Sequence, residues 1–388
     1  LQKDIIQNHT MLKFDSIRHY HDHEVNEVLQ NISKHPMIKA LMGFTFPEKT
    51  EEQWSEEFKE VNSIQDFQKN FIYHSIQKVL EKSSEGLTTS GFEKLDKNTA
   101  YFFISNHRDI ILDTSLLNVA LKDHGLIMTA SAIGDNLVQK SFLLALAKLN
   151  RNFLVKRGLA PRELLESSKL MSEYINHLLF EQNRSVWIAQ REGRTKDGND
   201  TTNPGVLKML AMASDEANLM DYFKKIKIVP VSISYEYDPT DALKIPQLLA
   251  KAKDEIYIKE KNEDFVNLLS GVIGQKKRIH IHVGDVLDKS LNEIQRGNCN
   301  NNKQIQALAQ LIDESIYEHY HLWPTNYIAY DLMHGGNLFS NKYTEKEKQL
   351  FLRRLELRVD KDNDIVFDGF LAMYANPVIN KLKLNNEL

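Results

Sequence analysis

Apolar positions fall into three textures along the chain. Up to about Asp96 they recur at helical spacing in polar surroundings: Val25, Val28, Leu29 and Ile32 share one face, and Pro36 closes that segment. Further helical patterns cover 51–62 and 68–82, and a charged, Ser- and Gly-containing stretch, 81–91, reads as a separator. From Thr99 short β-type runs alternate with amphipathic helical ones, as in a sheet covered by helices. The expected strands are 100–105, 126–132, 152–155, 184–189, 226–234 and 278–283. The clearest intervening helix is 162–182, with Leu165, Met171, Tyr174, Ile175, Leu178 and Leu179 on one side and Pro161 at its start. After about Asp288 helices return, with Ile305, Leu308, Ile312 and Ile316 on one stripe that Pro324 ends; 342–356 and 365–375 follow. The expected fold is α/β: a mixed, mostly parallel sheet covered by helices (97–288), with helical N-terminal (1–96) and C-terminal (289–388) additions.

Composition narrows the function. The 388 residues carry 49 Lys plus Arg against 53 Asp plus Glu, so a net charge of -4 gives no global field that would draw nucleic acid. One cysteine, Cys299, rules out a disulfide framework and a Cys-rich metal or iron–sulfur site, and fits a reducing cytoplasm. The longest apolar run, Phe142 to Ala147, has six residues against the roughly 20 of a spanning helix. Lys3, Asp4, Gln7 and Asn8 interrupt the start, unlike a signal peptide. The expectation is a protein that neither spans a bilayer nor is exported.

Candidate chemistry gathers where strands end. In Tyr101-Phe-Phe-Ile-Ser-Asn-His107-Arg108-Asp109-Ile-Ile-Leu-Asp113 a hydrophobic strand gives way to ionisable residues and then to a helical pattern. Strand ends of α/β sheets are where ligands bind. A histidine there can act as a general base if a carboxylate fixes its tautomer, and Asp109 and Asp113 are the local candidates. Phe153-Leu-Val-Lys156-Arg157-Gly158 sets two cations and a glycine after a strand. Trp187-Ile-Ala-Gln-Arg191-Glu192-Gly193-Arg194-Thr195-Lys196 repeats that design with more charge. Ile228-Val-Pro230-Val231 is a β-run with a proline, which belongs at a strand edge, bulge or terminus. Each block in isolation is explained by a helix cap or a solvated turn; four in order, each at a strand end, are far harder to explain so.

The ordered set resembles the four motif blocks of the glycerolipid acyltransferase superfamily, over about Thr99 to Asp288. Asn106-His107 with a downstream aspartate is similar to the first block, Phe153 with Arg157 to the second, Glu192-Gly193-Arg194 to the third and Val229-Pro230-Val231 to the fourth. The terminal helical regions resemble additions of one bacterial branch. Two departures stand out. Five residues, not four, separate His107 from Asp113, so either the loop bulges and Asp113 is the partner, the favoured reading, or Asp109 takes over. The third block has Arg191 where a proline is usual, which leaves open whether Arg191 or Arg194 meets a phosphate.

The resemblance implies acyl transfer from a thioester of coenzyme A or acyl carrier protein to a hydroxyl of a lysophosphatidate-like or glycerol-3-phosphate acceptor in membrane lipid synthesis. His107, with Asp113 or Asp109, would be catalytic; Asn106, Arg108, Lys156, Arg157, Arg191, Glu192, Gly193, Arg194, Lys196 and Pro230 would bind substrate. No cofactor or metal is expected beyond the thioester co-substrate, and no covalent acyl-enzyme, in line with the absence of a G-x-S-x-G elbow. Partners would be these substrates, acyl carrier protein as a candidate donor, and a membrane surface reached without a span, at the inner face of the cell membrane. The segment 142–147 is a candidate interfacial helix, although a core helix comes first; the Lys224–Lys227 and Lys276–Arg278 clusters read as solvated flanks before lipid sites. His19, His21 and His23 read as a polar segment rather than a metal site, and His280 and His282 as sheet-face residues. Alternatives are O- or N-acylation of a lyso-aminolipid, a metal-dependent phosphohydrolase built on His107 and Asp109, and a lipid-binding protein with a dead site.

Overall fold

The structure, a computed structural model, describes residues 13–297, 300–360 and 362–387; Lys3, Asp4, Gln7, Asn8 and Cys299 lie outside them. Seven strands form one sheet: β1 (Ser84–Ser90), β2 (Phe102–Ser105), β3 (Thr129–Gly134), β4 (Asn152–Val155), β5 (Ser185–Ala189), β6 (Ile228–Tyr235) and β7 (Lys277–Val283). Their order is β1-β7-β6-β2-β5-β3-β4, and every neighbouring pair is parallel except β6 and β7. Six of the seven stand where the apolar runs place them. The seventh, β1, lies in the stretch that reads as a separator. Its sequence, Ser-Glu-Gly-Leu-Thr-Thr-Ser, has one large apolar residue. An edge strand needs only backbone pairing on one side, here to β7, so its hydropathy carries no signal.

The two-residue period of the central strands divides the core. Phe102, Ile104, Val186, Ile188 and Ile228 pack on one face with helices Pro161–Asn176, Pro204–Leu210 and Asn301–His319. Phe103, Trp187, Val229, Val231 and Ile233 pack on the other, with helices Tyr73–Ser83 and Leu112–Asp123. Each such fully buried side chain contributes about 1.5–3 kcal/mol of hydrophobic stabilisation. Ile305, Leu308, Ile312 and Ile316 share the core of Phe102, so a helix of the expected C-terminal addition is a layer of the sheet domain. The remaining C-terminal helices, Pro324–Met333, Glu345–Arg358 and Asp364–Leu384, close around Phe351, Phe370 and Tyr374. Trp54, Phe58, Phe67 and Phe71 hold the N-terminal helices together. Pro36 and Pro324 each open the next helix at its first turn, where the missing N–H costs nothing.

Pro230 occupies an interior strand, in register with Ile104 of β2. The antiparallel ladder with β7 starts one residue later, at Val231 opposite Val283, and the Pro230 carbonyl accepts from Gly284 N at 2.9 Å. The absent donor therefore falls at the ladder's end.

The surface readings divide, and the helix over 142–147 takes the first of its two. Helix Ser141–Leu149 buries Phe142, Ala145, Ala147 and Leu149, and Phe142 stacks on His35 at 4.2 Å; it is a packed helix. Lys276 is buried, with Nζ donating to Ser83 Oγ (2.8 Å) and Val272 O (2.9 Å), and Lys277 and Arg278 pair with Glu236. Leu165, expected on the inner stripe of its helix, is 61% exposed. His19 bonds the Tyr174 hydroxyl at 2.8 Å. No group of three metal-ligating side chains comes together among the described residues.

His280 and His282 do share one face of β7. His280 bonds Thr88 Oγ1 (2.8 Å) and Ser90 Oγ (2.9 Å), while the His282 ring stacks on His319 at 4.0 Å. Burial, together with His321 beside His280 and His319 beside His282, lowers both pKa values to about 4, from 6.5. The folded state therefore binds fewer protons than the unfolded chain as pH falls below about 6.5, and stability drops from there toward pH 4. We expect the melting temperature to fall across that window, and less steeply in a His280→Asn/His282→Asn variant. Equal slopes for the two proteins would remove these histidines as the cause.

Candidate active site

The loop after β2 turns on two carboxylates. Asp113 sits in the first turn of helix Leu112–Asp123 and is wholly buried. Its Oδ2 meets His107 Nδ1 at 2.8 Å and accepts from the backbone N–H groups of Arg108 (2.6 Å) and Asp109 (3.0 Å). Its Oδ1 accepts from the Tyr235 hydroxyl at 2.8 Å. A carboxylate acceptor at Nδ1 places the ring proton there and leaves Nε2 as the acceptor nitrogen. Asp109 serves the helix instead. Its Oδ1 accepts from Ile111 N (3.0 Å) and Leu112 N (2.8 Å), capping the helix start. Its Oδ2 is buried against Gly271 without a hydrogen-bond partner, and burial, reinforced by the Asp113 charge, raises its pKa. The extra residue between His107 and Asp113 is absorbed by this cap.

Asn106 and Arg108 are buried and turned to the protein. Asn106 brackets β6, accepting from Ile233 N (2.8 Å) and donating to Ile233 O (3.0 Å). Arg108 Nη2 donates to Asp200 Oδ2 at 2.5 Å, and its guanidinium lies over the Tyr320 ring at 5.6 Å. Asp200 also accepts from Thr195 Oγ1 at 2.8 Å, while Thr195 N donates to His107 O at 2.9 Å, so the first and third blocks are tied together. Sequence reasoning passes over Asp200, Tyr235 and Thr195: Asp200 stands in a Gly-Asn-Asp run that reads as a turn, and Tyr235 ends an apolar strand.

A cleft of about 590 Å³ opens at the carboxyl ends of β2 to β5. His107, 13% of whose side chain is exposed, lines it, with the Trp187 ring edge-on at 5.6 Å. Ile133, Val155, Met171, Val206 and Met209 make an apolar wall, and Lys156, Arg157, Arg191, Arg194, Lys196 and Lys259 bring cations. That volume suits a small organic ligand. A larger hollow, about 910 Å³, lies over the N-terminal helices and is lined by Glu48, Glu57, Glu60, Asp66 and Glu81; His107 and Asp113 are not there.

The cations differ in their freedom. Arg157 pairs with Glu192 at 2.7 Å, both partly exposed, and Lys156 lies 3.7 Å from Asp135. Arg194 is buried, donating to Thr240 Oγ1 (3.0 Å) and Asn267 Oδ1 (2.9 Å). Arg191 forms no ion pair among the described residues and stands at the cleft. Between the two arginines left open by the sequence, geometry therefore leaves Arg191 free to meet an anion. Gly193 takes φ 70°, the left-handed turn that sets the two apart. Lys196 Nζ donates to Arg194 O at 3.2 Å; burial, then Arg194 and Lys244, lower its pKa to about 6. Pro230 lies in the sheet beneath, away from the cleft lining.

Residues 86–234 match the protein family described as Acyltransferase. No curated protein matches the chain. Among solved structures, the 1-acyl-sn-glycerophosphate (LPA) acyltransferase PlsC of Thermotoga maritima is similar, with 12% identity over 74% of this chain and 95% of that one and a TM-score of 0.33. The family match spans β2 to β5, most of β1 and nearly all of β6, and contains His107, Asp113 and every cation named at the cleft except Lys259. Over residues 86–234, which hold the histidine loop and most of the cleft, this chain matches the Acyltransferase family.

Proposed function

We propose that the protein moves a fatty acyl group from a thioester, on coenzyme A or acyl carrier protein, to a hydroxyl of a lysophosphatidate-like or glycerol-3-phosphate acceptor. The observation that carries this reading is the 2.8 Å contact between His107 Nδ1 and Asp113 at the edge of a cleft whose lining combines apolar side chains with cations. His107 Nε2 takes the acceptor's hydroxyl proton as its oxygen attacks the thioester carbonyl. Asp113 holds the ring and stabilises the imidazolium. Collapse of the tetrahedral intermediate breaks the C–S bond, and the thiolate leaves with the proton from His107. Arg157 and Arg191 hold the acceptor phosphate, with Lys156 and Lys196 adding field, and the apolar wall takes the acyl chain.

The substrates are amphiphilic, and none of the described helices is long and apolar enough to cross a membrane. Exposed apolar side chains lie near the cleft: Leu164 lines it, with Leu165 next along the helix, and Ile256 (92% exposed) lines an adjoining hollow that shares Arg191, Lys196 and Lys259 with it, with the exposed Ile258 two residues on. These support a peripheral protein that dips this surface into the inner face of the cell membrane.

Replacing His107 with alanine should lower acyl transfer by about 10²–10⁴, measured as lipid product by mass spectrometry from a panel of acyl thioesters and acceptors. Near-normal turnover would overturn the assignment. Flotation with phosphatidylglycerol-containing vesicles should carry the protein upward, and an Ile256→Ser/Ile258→Ser variant should stay behind; equal flotation would place the contact elsewhere. Burial, with Arg194 and Lys244 nearby, lowers the Lys196 pKa to about 6, so an anion that draws on its charge binds with proton uptake above that pH. Sulfate, whose own charge is constant there, should bind more weakly as pH rises through 6, and Lys196→Met should flatten that dependence in calorimetry.

A further inference from the structure

Asp113 is the group on which the proposed general base rests, and its donors come from two places. Three belong to its own loop: His107 Nδ1 and the N–H groups of Arg108 and Asp109. The fourth, the Tyr235 hydroxyl, is brought by the last residue of β6, a strand that lies beside β2. Tyr235 is 4% exposed, and Asn106 grips the same strand end through Ile233. The backbone donors are set by the loop fold. Tyr235 is a side chain whose donor can be removed without changing that loop's sequence.

We infer that Tyr235 is a positioning residue that sets the basicity of His107 through Asp113, and this inference rests on the acyl-transfer reading only for its catalytic consequence. The physics is that of a shared acceptor. A carboxylate that accepts a further hydrogen bond is stabilised in its charged form and polarises the imidazole less. Remove the hydroxyl, and Asp113 draws more strongly on the His107 ring, so the imidazolium becomes easier to form. The other ionisable groups around the pair are Asp109 from the same loop, Arg194 and Lys276, both acting on Asp109, Asp238 just past β6, Lys244, which donates to Arg108 O, and Arg108, whose guanidinium is turned to Asp200. Burial and the nearby Asp113 and Asp109 charges hold the Tyr235 phenol well above its ordinary pKa, so it stays a donor through the working range.

The test is Tyr235→Phe, which deletes one oxygen from a packed position, with Tyr237→Phe, outside this network, as the control. Histidine titration by NMR, with the His107 resonance identified by its absence in His107→Gln, should show the His107 pKa raised by about one unit in Tyr235→Phe and unmoved in Tyr237→Phe. The acid limb of kcat/KM should move up by the same amount, about a tenfold loss below the limb, with the high-pH plateau and KM little changed. A lower plateau without a shift would mean general damage and would overturn the proposal, as would an unmoved His107 titration in a variant with wild-type melting behaviour. A shifted titration in a protein that transfers no acyl group to any acceptor would leave the coupling standing and remove the proposed function.

Discussion

The site depends on keeping one carboxylate ionised with its side chain fully out of water. An isolated buried charge costs several kcal/mol even after relaxation, and Asp113 offsets that cost by accepting from two backbone N–H groups, an imidazole and a phenol. Those partners dictate much else. The loop must curl so that Arg108 and Asp109 present their N–H groups, Asp109 must cap the helix to hold that curl, and β6 must lie next to β2 to deliver Tyr235. Position in the first helical turn helps as well, because the positive end of the helix dipole favours a negative side chain.

A second buried network holds that loop from behind. Asp200 collects Asn106, Arg108 and Thr195, and Lys244 Nζ donates to Arg108 O at 3.2 Å while also bonding Asp238. Farther out, Asp241 accepts from Arg354 (2.7 Å), Arg358 (2.8 Å) and the Tyr374 hydroxyl (2.8 Å), all from the C-terminal helices. Buried ion pairs add little net stability compared with apolar packing, but removing one partner strands the other at a cost of about 3–5 kcal/mol. The C-terminal helices thus hold one end of a polar chain that reaches the histidine loop.

The cleft divides its labour by exposure. Arg194 is committed to Thr240 and Asn267, whereas Arg157 sits in a partly exposed pair and Arg191 is unpaired among the described residues. A surface pair of that kind is worth under about 1 kcal/mol, so an incoming phosphate can replace Glu192 at Arg157 at small cost.

Much of this molecule was legible in one dimension. Short apolar strand runs, the 162–182 helical stripe, and ionisable residues at strand ends are local signals, and hydrophobic burial enforces them wherever apolar surface must leave water. The histidine block and its aspartates were visible for the same reason. Other features were not. Edge strand β1 pairs through its backbone, which polar side chains do not betray; Leu165 fits its helical stripe but finds no neighbour to cover it. Which aspartate serves His107, which arginine stays free, and that Tyr235 and Asp200 belong to the site were decided by contacts between residues up to 122 positions apart. Spacing along a chain sets what one element can do, but hydrogen-bond partners are chosen by which elements the sheet order makes neighbours, and that order is a property of the packed whole.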